Sequence, residues 1–223
     1  MSNNYLMLET STSNALIALS VNDVLYQTGI HSTKPQAEQL LICIDDLIHQ
    51  ANISLNELDY IAVSKGPGSF TGLRVAISAA QALAYALNIP IVAICSLQIL
   101  AQQAYRRHNH HAVTVAIDAR MQEVYWARFT LKQQVMVLQS KIEVASPTSM
   151  LKQLTQDDIL VGNALSIYPE LAKAGFESMC MTPKAEDFTY LACLLYAQGQ
   201  VVSPAALLPE YIRNNVAKKS LKT

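Results

Sequence analysis

The run Lys65-Gly66-Pro67-Gly68-Ser69-Phe70-Thr71-Gly72-Leu73-Arg74 constrains this chain more than any other stretch. Before it, Leu58 to Ser64 reads as a buried strand. After it, Val75 to Leu87 is apolar, rich in alanine and long enough for a helix of roughly three turns or more. The run is therefore a strand-to-helix turn. Gly66 and Gly68 tolerate backbone angles that other residues resist, Pro67 stiffens the turn, and Ser69 and Thr71 are both candidate N-caps. Free backbone N–H groups at such a helix start attract anions, so Gly66, Gly68, Ser69 and Thr71 form a candidate anion-binding set. The usual phosphate loops are missed. Gly66 and Gly72 do not have the G-x-x-x-x-G spacing of a Walker loop, and Leu73-Arg74 stands where Lys-Ser or Lys-Thr belongs. Thr71 takes the place of the third Rossmann glycine. A tight turn with a well-capped helix uses the same backbone donors, so both readings stand at this point.

The helix carries a second constraint. From Val75 to Asn88 it has no charged residue, and its polar residues Arg74, Ser78, Gln81, Tyr85 and Asn88 fall on one narrow stripe. A helix packed on one sheet needs only one apolar face. This one is apolar nearly all round, so it should be covered on two sides, with alanines such as Ala79 and Ala80 admitting a close neighbour. That cover is either another part of the chain or a partner protein.

With 223 residues the chain fits one large domain or two small ones, and 51% hydrophobic residues supply ample core. A net charge of -1 gives no long-range attraction to nucleic acid or acidic membranes. Cys43, Cys95, Cys180 and Cys193 form no C-x-x-C pair and read as small buried hydrophobes in a reducing cytoplasm. Met1 to Tyr5 lacks the charged start and apolar run of a signal peptide, and no membrane span is expected. A cytoplasmic location follows as the expectation.

In order, the patterning predicts strands at 5–8, 14–20 and 24–30, with Asn22-Asp23 as a hairpin turn. A helix follows over 35–51 with Leu40, Leu41, Ile44, Leu47 and Ile48 on one face. Then come strand 58–64, helix 70–87, strand 89–95 and helix 96–106 capped by Ser96. Arg106 to His111 is a polar break, giving a first lobe of 1–107 and a second of 108–223. The second lobe repeats the order: strands 113–117, 123–131 and 135–145, helix 147–154, strand 159–161, helix 164–174, strand 178–181 and helix 186–199. Residues 204–223 read as a weakly basic solvated tail. Two β-β-β-α-β-α blocks resemble the duplicated α/β fold of actin, sugar kinases and the Hsp70 ATPase domain (the actin-like, ribonuclease H-like class). In that fold the first turn, here Glu9-Thr10-Ser11, faces nucleotide phosphates, which makes Glu9 and Thr10 candidates beside the glycine turn.

Catalytic signals are sparse. Asp118, Arg120 and Glu123 cluster around a predicted hairpin and read as a turn-stabilising ion pair before acid/base machinery. His108, His110 and His111 read as a solvated loop, since a metal needs converging ligands with outer support. G-x-S-x-G and H-E-x-x-H are both missing from the sequence.

Three motifs, in order along nearly the whole chain, resemble the TsaB (YeaZ) family. They are Gly66 to Arg74, then Ala116-Ile117-Asp118-Ala119-Arg120-Met121-Gln122-Glu123-Val124-Tyr125-Trp126-Ala127, then Tyr211-Ile212-Arg213-Asn214-Asn215-Val216-Ala217. The resemblance implies a non-catalytic scaffold in synthesis of threonylcarbamoyladenosine at adenosine 37 of tRNAs reading ANN codons. It implies TsaD as the catalytic partner, TsaE as the ATPase that joins, a homodimer when alone, and tRNA contact only through the complex. ATP is used by the complex, with no cofactor or metal bound tightly by this chain. The H-x-x-x-H pair of TsaD is missing here, as in the family. The pairing surface of the family maps to the two first-lobe helices, so Leu40, Leu41, Ile44, Arg74, Ser78, Ala79, Ala80 and Gln81 are the expected interface. Two positions depart from the family pattern: Glu9-Thr10 replaces Asp-Thr, which would crowd a metal–phosphate site, and Lys34-Pro35-Gln36 stands where a histidine often begins the helix. The alternative is an active actin-fold ATPase or phosphotransferase. A glycoprotease-like peptidase fails for want of a zinc pair or a nucleophile–base pair.

Overall fold

The computed structural model describes residues 3–12, 14–30 and 35–213. Lys34, the motif residues Asn214 to Ala217 and the terminal lysines lie outside the described residues.

The chain opens with β1 (Tyr5–Glu9), β2 (Ala15–Val21) and β3 (Val24–Ile30), an antiparallel meander. Asn22 (φ 50°) and Asp23 (φ 64°) both take the left-handed conformation that a two-residue hairpin requires. Then follow α1 (Gln36–Ala51), β4 (Tyr60–Gly66) parallel to β1, α2 (Phe70–Leu87), β5 (Ile91–Cys95) parallel to β4, and α3 (Ser96–His108). The three helices all end on an asparagine in the left-handed conformation, Asn52, Asn88 and Asn109, whose N–H bonds back to the last turn.

The second half repeats the plan with β6 (Ala112–Asp118), β7 (Val124–Lys132), β8 (Val135–Leu138), β9 (Glu143–Ala145), α4 (Pro147–Leu151), β10 (Leu160–Val161), α5 (Ala164–Ile167), α6 (Pro169–Ala172), β11 (Ser178–Met179) and α7 (Ala185–Ala197). The first sheet runs β3-β2-β1-β4-β5 and the second β8-β7-β6-β10-β11, the same topology twice. This is the duplicated actin-like α/β fold that the element order predicts.

Three expected elements differ. The strand over 135–145 is interrupted, and both its pieces, β8 and β9, pair with β7. The helix over 164–174 breaks at Tyr168, because Pro169 cannot donate to the preceding turn, leaving two single turns. Cys95, not Ser96, sits at the cap position of α3, and the Ser96 hydroxyl instead lies 2.6 Å from that of Ser64.

The layers follow from strand alternation. Leu6 and Leu8 of β1 face α1 and α2, while Tyr5 and Met7 face α7. α3 turns Leu97, Leu100 and Ala104 onto Val113, Val115 and Phe129 of the second sheet. Helices α3 and α7 thus form the layer between the sheets, and α4 to α6 cover the far side. A division near residue 107 separates the two sheets but not their helices, since α7 packs on the first-lobe sheet. Arg106 and Arg107, at the head of the polar break, lock onto α7. Both guanidiniums hold the buried Asp187 carboxylate of α7, at 2.6 and 2.7 Å. The cysteines also differ from expectation: Cys180 and Cys193 are exposed.

Helix α2 has the length and apolarity to cross a bilayer. Here it is the crossover between parallel β4 and β5, with Leu73, Ala76, Ile77, Ala80 and Ala84 buried in the first core.

Candidate inter-lobe cleft and helical groove

The turn after β1, the start of α2, the turn after β6 and residues 210–213 surround a cleft of about 370 Å³ between the lobes. Two close backbone approaches build it. A Cβ at Gly68 would stand 2.4 Å from the Ser11 carbonyl, and one at Gly72 would stand 2.0 Å from the Thr10 carbonyl. Glycine at both positions lets the first turn lie directly on the helix start. Ser69 caps α2, its hydroxyl accepting from the Gly72 N–H.

The sequence-predicted anion set divides here. Gly68, Ser69 and Thr71 line the cleft, as do Ser11 and Thr12. Glu9, Thr10 and Gly66 do not. Glu9 and Thr10 are fully buried beneath the turn. Glu9 Oε1 accepts from the Ser11 N–H at 2.6 Å, and the Thr10 hydroxyl donates to the Gly72 carbonyl. Burial pushes the Glu9 carboxyl up from the ordinary range, against hydrogen bonds from Ser11 and Ser64 that pull it down. Gly66, at φ +114°, packs against the Glu210 backbone. This arrangement does not fit a site in which the acid of the first turn orients a metal on a phosphate, because that carboxyl never reaches the cleft.

Across the cleft, Arg120, Met121 and Gln122 all have φ near +60°. Asp118 holds this turn, accepting from the Arg120 N–H at 2.9 Å and from the Tyr168 hydroxyl at 2.8 Å. Burial and the neighbouring Asp118 charge push the Tyr168 phenol up to about 12. Glu123 is paired with Arg213. Asp118 and Arg120, 3.5 Å apart, thus form the turn-stabilising pair that their spacing suggests, whereas the Glu123 carboxylate is used outside the turn. Among the described residues, no group of three or more His, Cys, Asp or Glu side chains converges. His110 instead meets Glu177 at 3.4 Å.

A second concavity lies between α1 and α2. Its walls are Ala37, Leu40 and Leu41 from α1, and Phe70, Val75, Ala79, Ala82 and Leu83 from α2. Leu41 is 60% and Phe70 40% exposed, so large apolar surface faces outward. Of the residues expected on a partner surface, Leu41, Arg74, Ser78 and Ala79 line this groove. Leu40 lines it too, yet Leu40, Ile44 and Ala80 lie in the chain's own core, packed on the first sheet, which corrects their placement on an open face. Gln81 is committed to the chain itself, donating to the Pro204 and Leu207 carbonyls at 3.0 Å each. Residues 204–211 therefore dock on the polar stripe of α2 at Arg74 and Gln81, while Tyr85 of the same stripe stays exposed. The open face is the stripe one residue ahead: Val75, Ala79, Ala82. Its spacing was readable in the sequence but was masked by alanines on every side. At the head of α1, Gln36 donates to the Thr12 carbonyl at 3.2 Å and ties that helix to the first turn. Tyr168 and Asn163, which brace the second turn, carry no sequence signal.

A family model described as "TsaD: tRNA N6-adenosine threonylcarbamoyltransferase" matches residues 31–220. The "tRNA threonylcarbamoyladenosine biosynthesis protein TsaB" of Escherichia coli (strain K12) is 31% identical over 97% of both chains. The protein of that name from Haemophilus influenzae is also 31% identical, over 97% of this chain and 96% of its own. Among solved structures, one described as "YeaZ from Pseudomonas aeruginosa" aligns at TM-score 0.79 and 33% identity, covering 94% of this chain and all of its own. A second, from the same organism and described as similar to peptidase YEAZ, aligns at TM-score 0.83 and 34% identity, covering 95% of this chain and all of its own. With the shared motifs, the duplicated fold and these matches in hand, the chain belongs to the TsaB (YeaZ) family.

Proposed function

We propose that this chain acts in tRNA threonylcarbamoyladenosine synthesis as a non-catalytic scaffold that seats a TsaD-type subunit in the groove between α1 and α2. The observation that carries the reading is that groove: an outward apolar surface walled by Leu41, Phe70, Val75 and Ala79. The cleft supports it from the other side. Its carboxylates are engaged by neighbours, Asp118 by Arg120 and Tyr168, Glu210 by the Lys65 ammonium. A general base needs a free lone pair within reach of its proton. The near-neutral net charge suits a subunit whose partner supplies the tRNA contact. In this reading the transfer to N6 of adenosine 37 takes place on the partner, TsaE joins as the ATPase that uses ATP, the chain pairs with itself through the same groove when alone, and the complex works in the cytoplasm.

The test is mixing. The chain and its cognate TsaD-type subunit are run separately and together by size exclusion with light scattering, with and without ATP and TsaE. A stable mixed complex supports the scaffold. ATP turnover by this chain alone, without a complex, would replace it with the phosphotransferase reading.

A further inference from the structure

The groove and the cleft share a wall. Phe70 and Thr71 line both. Arg74, one turn on, lays its guanidinium over the Phe70 ring at 3.9 Å and donates Nε to the Tyr211 hydroxyl at 2.9 Å. Tyr211 packs its ring against Phe70 at 5.4 Å.

Tyr211 belongs to a strap that crosses from lobe to lobe. On the first lobe, Glu210 donates its N–H to the Lys65 carbonyl at 2.8 Å and meets the Lys65 ammonium at 3.4 Å. On the second, Ile212 packs on the core that holds Ile117, and Arg213 pairs with Glu123 and contacts Met121.

We propose that the Phe70–Arg74–Tyr211 cluster couples occupation of the α1/α2 groove to the fixing of residues 209–213 across the inter-lobe cleft. This rests on the docking reading above and adds its regulation. Tyr211 is 43% exposed, and Arg74 is exposed with it, so solvent screens the contact in the free chain. A protein seated on Phe70 and Arg74 removes that water. Cation–π and charge-assisted contacts strengthen when desolvated. The strap is then held at its first-lobe end whenever the groove is filled, and by linkage a loosened strap weakens docking by the same factor.

Hydrogen exchange at the Glu210 amide reads the strap directly. In the wild-type chain, adding the TsaD-type subunit should slow that exchange by about fivefold or more. Tyr211→Ala should lose the slowing and bind the subunit about fivefold more weakly. In the free chain, Phe70→Ala should speed Glu210 exchange by a similar factor, while Leu41→Ala, also on the groove wall, should leave it unchanged. Equal Glu210 exchange in the free and bound wild-type chain overturns the coupling, and so does unchanged exchange in Phe70→Ala. A subunit that fails to bind the wild-type chain overturns the docking reading and the partner half of this proposal. The Phe70→Ala comparison still decides whether the groove wall holds the strap.

Discussion

The Nε of Arg74 donates to the hydroxyl of Tyr211 at 2.9 Å, joining the start of α2 to a residue 137 positions later. This bond divides the surface of α2 in two. On one side Arg74 and Gln81 of the polar stripe are bonded to the chain's own residues 204–211. On the other, the stripe through Val75, Ala79 and Ala82 stays open, and the proposed partner has a face of one defined width.

Adjacent alanines on α2 should therefore behave oppositely. Ala80 is fully buried on the first sheet, whereas Ala79 lines the groove. Ala80→Glu would bury an unpaired charge and is expected to unfold the chain, or cost it about 3 kcal/mol or more. Ala79→Glu should keep the wild-type melting behaviour and lose the mixed complex. Thermal melts and light scattering on both variants check this. A folded Ala80→Glu protein, or an Ala79→Glu protein that still assembles, contradicts the assignment.

Gly72 lies in the first turn of α2, where alanine would ordinarily favour the helix by about 0.5–1 kcal/mol. Here its Cβ would stand 2.0 Å from the Thr10 carbonyl oxygen. Gly72→Ala is expected to destabilise by about 2–4 kcal/mol, because two backbones must separate. Urea denaturation reads the difference, and a neutral or stabilising result would show that the first turn is not seated on the helix.

The buried Glu9 carboxyl sets a pH dependence. Its folded-state pKa is raised by burial, so its contribution is full below the ordinary carboxylate range and is lost as pH rises through the folded value. Glu9→Gln keeps the acceptor for the Ser11 N–H and removes the titration. The variant should gain on the wild type in urea midpoints as pH rises above the ordinary carboxylate range. Parallel pH profiles would mean that the carboxyl is solvated.

Asp158 runs the other way. Burial raises its carboxyl, but hydrogen bonds from Arg128, from the Thr114 hydroxyl (2.5 Å) and from the Thr155 N–H outweigh it and hold the pKa at about 2. Its stabilisation is present above the ordinary aspartate value and is lost as pH falls towards 2. Asp158→Asn should cost about 1–3 kcal/mol at pH 7, and its gap to the wild type should close on acidification. A gap independent of pH would show that the interaction does not depend on charge.

Much of this architecture is legible in the residues. The glycine run ends β4, and helix α2 spans Phe70–Leu87 as its composition predicts. The repeated element order already carries the duplicated fold. What escapes is whatever depends on which surface meets which. Amphipathic patterning shows that α3 and α7 bury a face, but not that they share one layer between the sheets. Alanine is small enough for either side of α2, so Ala79 and Ala80 look alike until the sheet is in place. A carboxylate in a turn reads as exposed, but Glu9 is the last residue of β1, and its carboxyl is fully buried beside Ser11 and Ser64. Residues 201–213 have no periodicity to read. They are fixed by Gln81, by the pairing of Val202 with Ile91 and by the space that Gly66 leaves for Glu210.

The most direct test of the scaffold account is reconstitution of threonylcarbamoyl transfer from its adenylate to tRNA with purified subunits. The account predicts modification only when this chain is added to the TsaD-type subunit with TsaE and ATP, and its loss when Ala79→Glu replaces the wild-type chain. Full transfer without this chain, or undiminished transfer with Ala79→Glu, would contradict it.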